Sequence, residues 1–368
     1  MKIVHVVGAR PNFMKVAPTM GALSDEHGVE QRLVHTGQHY DRTLSEAFFE
    51  DLDMPYPDAF LGVGSGSHAQ QTALVMTRLE SLIVEEAPDA VLVAGDTNST
   101  MAAALCAAKL NTPVVHLEAG LRSGDRTMPE EVNRIVADHV AEVLLTPSRD
   151  ADANLLGEGI SGDSIAFVGN TMIDSLRRYE EQARDLEVGR RDYGCEGYVL
   201  VTLHRPALVD DANCLVEVMD HLEDVAAERA VLFPLHPRTR SVLRAAGWRP
   251  SRVRLLEPQS YIRFLSLQIG AFAVLTDSGG VQEETTVLGI PCFTLRTTTE
   301  RPVTVTEGTN RVLGLGTEAL ETFREALEGG LPRRAVVPER WDGRAAQRVA
   351  EVVVGHYARA LSALEAAR

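Results

Sequence analysis

The chain has 368 residues, of which 45% are hydrophobic and 24% are charged, and its formal net charge is −16. This length exceeds what one hydrophobic core usually supports, so we expect two domains. The acidic balance argues against a nucleic-acid partner, because phosphate contacts need clustered Lys and Arg, and no stretch approaches the roughly 20 apolar residues that a membrane helix needs.

The first half of the sequence alternates short apolar runs with amphipathic stretches. The stretch "AQQTALVMTRLESLIVEEA" at 69–87 has helical spacing, and continuous Val, Leu and Ile runs between helices indicate a parallel sheet covered on both faces. The predicted strands of this half are 3–8, 32–37, 89–96, 112–120, 141–147 and 164–170.

A polar stretch at 175–197 interrupts this alternation and predicts a connecting helix and linker, after which the pattern restarts. The predicted strands of the second half are 198–204, 230–236, 252–258, 271–277 and 290–295. We therefore expect an α/β protein with two Rossmann-like domains, 1–172 and 173–344. The final amphipathic helix could pack against either domain. Ligands bind beyond the carboxyl ends of such strands, so we expect the two domains to face a shared central cleft.

The four cysteines and the beginning of the sequence predict a cellular location. Cys106, Cys195, Cys214 and Cys292 lie far apart without a C-x-x-C pair, which favours buried reduced thiols over a zinc site or disulfides. The opening "MKIVHVVGARP" predicts a strand that enters a turn and lacks the pattern of a signal peptide. We expect a cytoplasmic protein that does not interact with a membrane.

Polar clusters stand where the predicted strands end. The first, "GARPNFMK" at 8–15, is neither G-x-G-x-x-G nor a P-loop, so a nicotinamide cofactor is disfavoured. It places Arg10 and Lys15 near a helix N-terminus, which is a position suited to anions. The other clusters are 36–39, 95–100, 118–134, 203–206, 235–240 and 277–284.

The cluster "DSGGVQEE" at 277–284 combines a phosphate-binding turn with carboxylates. Ser278, Gly279 and Gly280 open a helix whose amides favour phosphate. One of the two glutamates that follow, Glu283 or Glu284, could accept hydrogen bonds from a ribose diol. This pattern predicts a nucleoside diphosphate as ligand.

The strand ends of the first half carry a wall of carboxylates, with two arginines among them. Carboxylates together with histidines that end two strands of the second half, His204 and His236, suit general acid–base chemistry on a polyol. A metal site is the competing interpretation, but HExxH is missing and the arginines would oppose a bound cation. The residues of this wall are Asp96, Glu118, Asp125, Glu130, Glu131, Arg122 and Arg134.

These motifs together resemble the non-hydrolysing UDP-N-acetylglucosamine 2-epimerase family. The resemblance rests on "GARPNFMK", "GDTNST", "EAGLR", "PEEVNR", "LHRP", "DSGGVQEE" and "TTTERPVTVTEGTN", in the family's order and spacing up to about residue 315. It implies a glycosyltransferase-B-like fold, a homodimer, and a C-terminal helix (345–368) that returns to the first domain.

The resemblance also implies the reaction. The family inverts C2 of UDP-N-acetylglucosamine to give UDP-N-acetylmannosamine, by eliminating UDP to form 2-acetamidoglucal and adding it back. This chemistry needs no cofactor and no metal.

The resemblance assigns roles to individual residues. The acid–base and glycal-stabilising candidates are Asp96, Glu118, Glu130 and His204, supported by Arg134. The predicted UDP ligands are Arg10, Lys15, Ser278, Gly279 and Gly280 for the diphosphate, Glu284 for the ribose and Phe264 for the uracil. Further candidates are Gln38, His39, Arg122, Glu131, Arg205, His236 and Arg301.

Two departures from the family pattern stand out. The family usually has Glu, often followed by Asn, where this chain has Ala207 and Leu208. We expect a working but slower or more specialised enzyme, in which Ala207→Glu with Leu208→Asn leaves activity equal or higher. Bacterial members also use a second UDP-sugar site, with a Gln matched here by Gln38 and an Arg that Ser65 replaces in this chain, so we expect weak or absent activation by substrate.

Three alternatives to this function stay open. One is an epimerase of a diacetamido uronic UDP-sugar, although "TTTERP" is more typical of the simple N-acetylglucosamine branch. The others are a glycosyltransferase of the same architecture and a UDP-sugar-binding paralogue without activity. Product analysis distinguishes all three.

Overall fold

The computed structural model describes residues 1–25, 28–38, 49, 51–331, 334 and 336–366, with backbone only at residues 10, 206, 207 and 359–366. The chain divides into two compact units, Met1–Ser175 with Glu339–Arg368, and Leu176–Pro338. None of the helices in the described ranges combines the length and apolar character that a membrane-spanning helix requires.

The first unit contains a seven-stranded sheet in which every pairing is parallel. Its strands are β1 (Lys2–Val7), β2 (Glu30–His35), β3 (Ala59–Phe60), β4 (Ala90–Ala94), β5 (Val114–Leu117), β6 (Val143–Thr146) and β7 (Ile165–Phe167). Its helices are α1 (Arg10–Ser24), α2 (His68–Glu86), α3 (Asn98–Lys109), α4 (Pro129–Val140), α5 (Arg149–Gly157) and the beginning of α6 (Thr171–Leu186), with a short 3-10 helix at Gly162–Ser164.

The second unit contains a six-stranded sheet that is also parallel throughout. Its strands are β8 (Val199–Thr202), β9 (Val231–Pro234), β10 (Arg254–Leu256), β11 (Ala273–Thr276), β12 (Cys292–Thr294) and β13 (Asn310–Val312). Its helices are α7 (Val188–Tyr193), α8 (Pro206–Val209), α9 (Ala212–Glu228), α10 (Pro237–Ala245), α11 (Tyr261–Gly270), α12 (Gly279–Leu288), α13 (Val303–Thr306) and α14 (Thr317–Glu328).

The strand order reverses once in each sheet. The first sheet runs β3-β2-β1-β4-β5-β6-β7, so its direction changes between β1 and β4. The second runs β10-β9-β8-β11-β12-β13 and changes between β8 and β11. Connections leave toward opposite sides at such a point, which opens a crevice at the carboxyl ends of the two central strands.

Alternating side chains of the central strands supply a core on each side of the second sheet. Val199 and Val201 belong to one buried apolar cluster, whereas Leu200 belongs to another. Successive side chains of a strand point to opposite faces, so a strand covered on both faces has to be apolar at every position. This explains the uninterrupted Val and Leu runs and confirms the predicted α/β fold class.

The predicted strands all occur, and two short edge strands were missed. The missed strands are β3 and β13, which contain only two and three residues. Strands this short give no recognisable pattern in the sequence, and each lies at the edge of its sheet with one neighbouring strand. In β13, Asn310 is buried and polar.

The last helix, α15 (Ala345–Ala366), belongs to the first unit, where it packs against α1. Asp174 holds its beginning, because its two carboxylate oxygens accept hydrogen bonds from the backbone N–H groups of Ala345 (3.1 Å) and Ala346 (2.7 Å). Burial raises the pKa of Asp174 to about 6, against the opposing effect of these hydrogen bonds. The carboxylate therefore caps a helix N-terminus inside the protein.

Asp174→Ala should lower the stability of the first unit by about 1–2 kcal/mol, because both amides would lose their acceptor. Asp174→Asn keeps one carbonyl oxygen and should lose less. The chain has two tryptophans, so replacing Trp248 by Phe leaves Trp341, buried in the first unit, as the fluorescent reporter of urea unfolding. Equal stability of Asp174→Ala and its parent would contradict this role of the cap.

Candidate active site

In the first unit, a buried ion pair lies where β4 and β5 end. Nζ of Lys15, on α1, pairs with Oε2 of Glu118, and both side chains are almost fully buried. A Cβ on Gly95 would lie 2.9 Å from that Nζ and 3.2 Å from that Oε2. Glu118 has a φ of +67°, a left-handed conformation that costs energy for a residue with a side chain. Glycine at 95 and the unusual backbone at 118 both make room for this pair.

A second ion-pair system fixes Asp96. Both guanidinium ends of Arg134 are engaged, Nη2 with Asp96 and Nη1 with Glu131. The side-chain amide of Asn133 donates to the backbone carbonyl of Asp96 at 2.9 Å. Arg134 and Asn133 lie on α4, whereas Asp96 follows β4, so the helix positions the carboxylate of the neighbouring loop.

Glu131 also organises the loop that precedes α4. It accepts hydrogen bonds from the backbone N–H groups of Ser123 (2.9 Å) and Gly124 (2.9 Å). Burial by itself would raise the pKa of Glu131, but these amides and Arg134 outweigh that effect and lower the pKa. Glu131 is therefore an ionised structural group that holds Arg134 and the loop together.

His116 is a buried residue of the site that the sequence analysis missed. Its Nδ1 lies 2.6 Å from Oδ1 of Asp138, and its Nε2 donates to the carbonyl of Gly95 at 2.8 Å. Arg122, a predicted site residue, donates to Asp138 and also makes a two-pronged contact with Glu158. Burial would raise the pKa of Asp138, but His116 and Arg122 lower it. This network holds the turn on which Asp96 stands.

The remaining candidates of the first unit have different surroundings. Glu130 lies half-buried in the first turn of α4. Gln38 is buried, and its Oε1 accepts hydrogen bonds from the backbone N–H (3.0 Å) and the hydroxyl (2.7 Å) of Ser99 at the beginning of α3. His39 and the side chain of Arg10 lie outside the described residues.

In the second unit, Asp277 binds the loop that carries His204. Asp277 ends β11 and is fully buried, and its Oδ2 accepts hydrogen bonds from the backbone N–H groups of His204 and Arg205, both at 2.7 Å. Its Oδ1 lies 2.9 Å from Nδ1 of His204. Burial would raise the pKa of Asp277, but His204 and the two amides lower it. The sequence analysis quoted Asp277 in a motif without assigning it a role.

Two buried arginines, Arg296 and Arg301, and the partly buried Arg205 lie near the beginning of α12. Arg296 makes a two-pronged contact with Glu300, Arg301 lies 2.7 Å from Glu283, and Arg205 lies 3.8 Å from Glu300. A Cβ on Gly279 would collide with the guanidinium of Arg301. Glycine is therefore needed at 279 for Arg301 to reach the first turn of the helix.

The first amides of α12 point away from the helix. Ser278 is its N-cap residue, and Gly279 and Gly280 are its first two residues. Amides in this position have no partner within the helix and form an anion-binding end. Together with the arginines, they place several hydrogen-bond donors where β11 ends, beside the carboxylates of Asp277, Glu283 and Glu300.

Both glutamates of α12 are buried, and they have different partners. Glu283 lies against Arg301, whereas Glu284 accepts hydrogen bonds from the hydroxyl of Tyr261 (3.0 Å) and the amide of Gln268. Burial raises the pKa of Glu284 to about 7, although both hydrogen bonds act against this rise. A carboxylate has about four lone-pair positions, so Glu284 retains acceptor capacity beyond these two bonds.

Side chains of the stretch "TTTERPVTVTEGTN" hold the segment that carries Arg301 in place through hydrogen bonds. Gln282 accepts hydrogen bonds from the hydroxyl of Thr299 (2.7 Å) and the amide of Asn310 (3.1 Å). Asn310 also donates to Thr304 at 3.1 Å. These buried bonds tie the segment that carries Arg301 to α12 and β13.

Phe264 and His236 lie on helices other than α12, Phe264 on α11 and His236 at the beginning of α10. Phe264 is half-buried on α11 and packs against an apolar cluster of the second sheet. His236 is exposed and caps α10, because its Nδ1 accepts a hydrogen bond from the backbone N–H of Arg238. A helix cap explains this histidine without catalysis. Among the described residues, no group of three or more His, Cys, Asp or Glu side chains is arranged to hold a metal ion.

Leu208 departs from the family pattern for a structural reason. It lies on α8, is 1% exposed and belongs to the apolar cluster that contains Val201 and Leu215. A polar residue there would be buried without water. The structure therefore argues against the expectation that Leu208→Asn is harmless. The expectation for Ala207→Glu stays a prediction, because that side chain is outside the described residues.

Leu208→Asn should destabilise the second unit by about 2–4 kcal/mol, because it removes apolar contacts and buries an amide. Leu208→Met, which conserves volume, should cost less than about 1.5 kcal/mol. Trp248 packs against the same cluster, so its fluorescence in a Trp341→Phe background reports the urea unfolding of this unit. Equal midpoints for the two variants would contradict the assignment of Leu208 to the core.

Comparisons with known proteins show which family this chain is similar to. The family model described as UDP-N-acetylglucosamine 2-epimerase matches residues 21–354. The UDP-N-acetylglucosamine 2-epimerase of Methanocaldococcus jannaschii is 39% identical over 331 residues, which cover 87% of this chain and 90% of that protein. The UDP-2,3-diacetamido-2,3-dideoxy-D-glucuronate 2-epimerase of Pseudomonas aeruginosa is 40% identical over 331 residues, which cover 89% of this chain and 92% of that protein.

A solved structure is also similar along almost the whole chain. The crystal structure of the Methanocaldococcus jannaschii enzyme in complex with UDP-GlcNAc and UDP has a TM-score of 0.89 at 36% identity, covering 96% of this chain and 99% of that chain. With the family match spanning both units, this chain belongs to the UDP-N-acetylglucosamine 2-epimerase family.

Proposed function

We propose that this chain interconverts UDP-N-acetylglucosamine and UDP-N-acetylmannosamine by inversion at C2. In this proposal UDP is eliminated to leave 2-acetamidoglucal and is then added back after a proton reaches the opposite face of C2. The observation that carries the proposal is the pair of carboxylates on neighbouring strand ends, Asp96 and Glu118, each held by a buried cation. Positioned carboxylates can take a proton from one face of a sugar carbon and supply one to the other.

The first unit would act on the sugar ring. Asp96 and Glu118 are the acid–base candidates, with Arg134 and Lys15 keeping them in place. Glu130 is a third candidate carboxylate, half-buried at the beginning of α4. Lys15 is a predicted ligand of the diphosphate as well.

The second unit would hold UDP. Arg205, Arg296 and Arg301 lie near α12 together with Glu283 and Glu300. Guanidinium groups and the amides of Gly279 and Gly280 at the beginning of this helix are the kinds of donor that suit a diphosphate. Such a site matters for this reaction, because UDP has to stay bound while its bond to the sugar is broken.

The ribose and the uracil have separate candidate ligands. Glu284 can accept hydrogen bonds from the ribose diol through the lone pairs that Tyr261 and Gln268 leave unused. Phe264, half-buried on α11, offers a ring for the base. His204, whose side chain is 45% exposed, is the group of this unit best suited to exchange a proton.

The charges of the first unit favour the simple amino sugar over a uronic acid. A uronic substrate adds a carboxylate, which needs a cation. Lys15, Arg122 and Arg134 are each paired with carboxylates of the protein itself. The relative that acts on a diacetamido glucuronate nevertheless makes that sugar the second candidate.

We also propose that the enzyme is a homodimer in the cytoplasm. The family resemblance supports the dimer. The free thiols of Cys106, Cys195, Cys214 and Cys292 support a reducing compartment. Analytical ultracentrifugation of the full chain tests the dimer.

Incubation with UDP-N-acetylglucosamine alone should yield UDP-N-acetylmannosamine at equilibrium, without added cofactor or acceptor. A parallel incubation with the diacetamido uronic UDP-sugar should give little product. Chromatography with NMR identification of the product measures both. Turnover that requires an acceptor would indicate a glycosyltransferase, and tight UDP binding without any product would indicate an inactive paralogue.

Asp96→Asn and Glu118→Gln should each reduce turnover by ~10²–10⁴-fold, the usual contribution of a general acid or base. UDP affinity, measured by calorimetry, should stay near that of the parent, because the proposed UDP ligands in the second unit are unchanged. Glu142→Gln, an exposed residue of the first unit that pairs with His356, is the matched control and should keep full activity. A near-normal rate in either site variant would remove that residue from the acid–base assignment.

A further inference from the structure

Two buried aspartates of this chain each lie beside Nδ1 of a histidine. Asp138 lies 2.6 Å from Nδ1 of His116 and accepts the backbone N–H of Gly120. Asp277 lies 2.9 Å from Nδ1 of His204 and accepts two backbone N–H groups. Both aspartates are at most 1% exposed. In each pair, the carboxylate fixes the position of one ring nitrogen.

The second ring nitrogen distinguishes the two histidines. Nε2 of His116 donates to the carbonyl of Gly95 at 2.8 Å, and its ring is fully buried. For Nε2 of His204, no hydrogen bond is found among the described residues, and 45% of its side chain is exposed. Both ring nitrogens of His116 therefore have partners within the protein. His204 contacts Asp277 through Nδ1, and its side chain is partly exposed to solvent.

The contact with Asp277 also determines where the proton of a neutral His204 ring lies. Oδ1 of Asp277 is buried and has no hydrogen bond among the described residues, and it lies 2.9 Å from Nδ1. An ionised carboxylate only accepts hydrogen bonds, so this contact favours the ring with its proton on Nδ1. The lone pair of the neutral ring is then at Nε2. Which nitrogen of a histidine reacts is set by the bond that the other nitrogen makes.

We propose that Asp277 is a positioning residue that holds His204 in the tautomer with its reactive lone pair at Nε2. The inference rests on the proposed function for the role of His204, and it assigns to Asp277 a task that no motif comparison gave it. In the elimination, the C1–O bond breaks and its electron pair goes to a β-phosphate oxygen of UDP, to which Nε2 gives its proton. In the re-addition Nε2 takes that proton back, while Nδ1 keeps its own proton beside Asp277. The step needs no further reactant, and the buried negative charge of Asp277 stabilises the imidazolium beside the departing diphosphate.

Asp277→Asn is a conservative test, because the side-chain carbonyl can still accept the amides of His204 and Arg205. Its NH2 group would then face Nδ1 of His204 and donate to it, which moves the ring proton to Nε2. This loss of the correct tautomer should lower kcat by ~10²–10⁴-fold, with much smaller changes in KM and in UDP affinity.

The tautomer itself can be measured without any substrate. In protein with 15N-labelled histidine at alkaline pH, the ring nitrogens of His204, assigned by their loss in His204→Gln, should show a protonated Nδ1 in the parent and a protonated Nε2 in Asp277→Asn. Asp211→Asn is the matched control. Asp211 is exposed and accepts the backbone N–H groups of Asn213 and Cys214 without a histidine, so the variant should leave tautomer and kcat unchanged.

Two outcomes would overturn the inference. One is a parent protein in which neutral His204 carries its proton on Nε2. The other is an Asp277→Asn variant with a reversed tautomer and an unchanged kcat. If the parent has no epimerase activity, the proposed function fails, and the tautomer in the ligand-free protein still tests the role of Asp277 separately.

Discussion

The reversal of strand order within each parallel sheet is the constraint on which the rest of the molecule depends. Between β1 and β4, and again between β8 and β11, neighbouring connections leave toward opposite faces, so the carboxyl ends of these strands are not covered by their own helices. Polar side chains can therefore lie at these strand ends without entering the apolar core on either face of the sheet. Asp96 follows β4 and Asp277 follows β11, and both are acids placed by this one topological feature.

Charges placed at such positions remain ionised only when they are paired. An isolated buried carboxylate would take up a proton, and Glu284, which has neutral partners, has a pKa raised to about 7. Asp277, held by two amides and His204, has a lowered pKa instead. The partners thus decide the chemistry. A partner that can be charged, such as His204, lowers the pKa of a buried carboxylate, whereas neutral hydrogen-bond partners leave it raised, to about 7 for Glu284 and about 6 for Asp174.

Much of this arrangement could be predicted from the sequence, because strand ends and motifs are local patterns. The apolar runs located the central strands, and the clusters after them located the carboxylates. Pairings across the sheet could not be predicted, since they join residues far apart in sequence. His116 looked like an ordinary strand residue until Asp138 and Gly95 were seen on either side of it. The helix cap that His236 makes was not predicted either, and its place in the site stays a prediction.

The central claim is that C2 is inverted through elimination of UDP, and isotope transfer tests it most directly. UDP-N-acetylglucosamine with 18O in the bond between C1 and the β-phosphate is converted in D2O, and the products are analysed by NMR and mass spectrometry. The account predicts deuterium at C2 of UDP-N-acetylmannosamine and migration of 18O into non-bridging positions of the β-phosphate. Product that forms with hydrogen retained at C2 and 18O unmoved would contradict it.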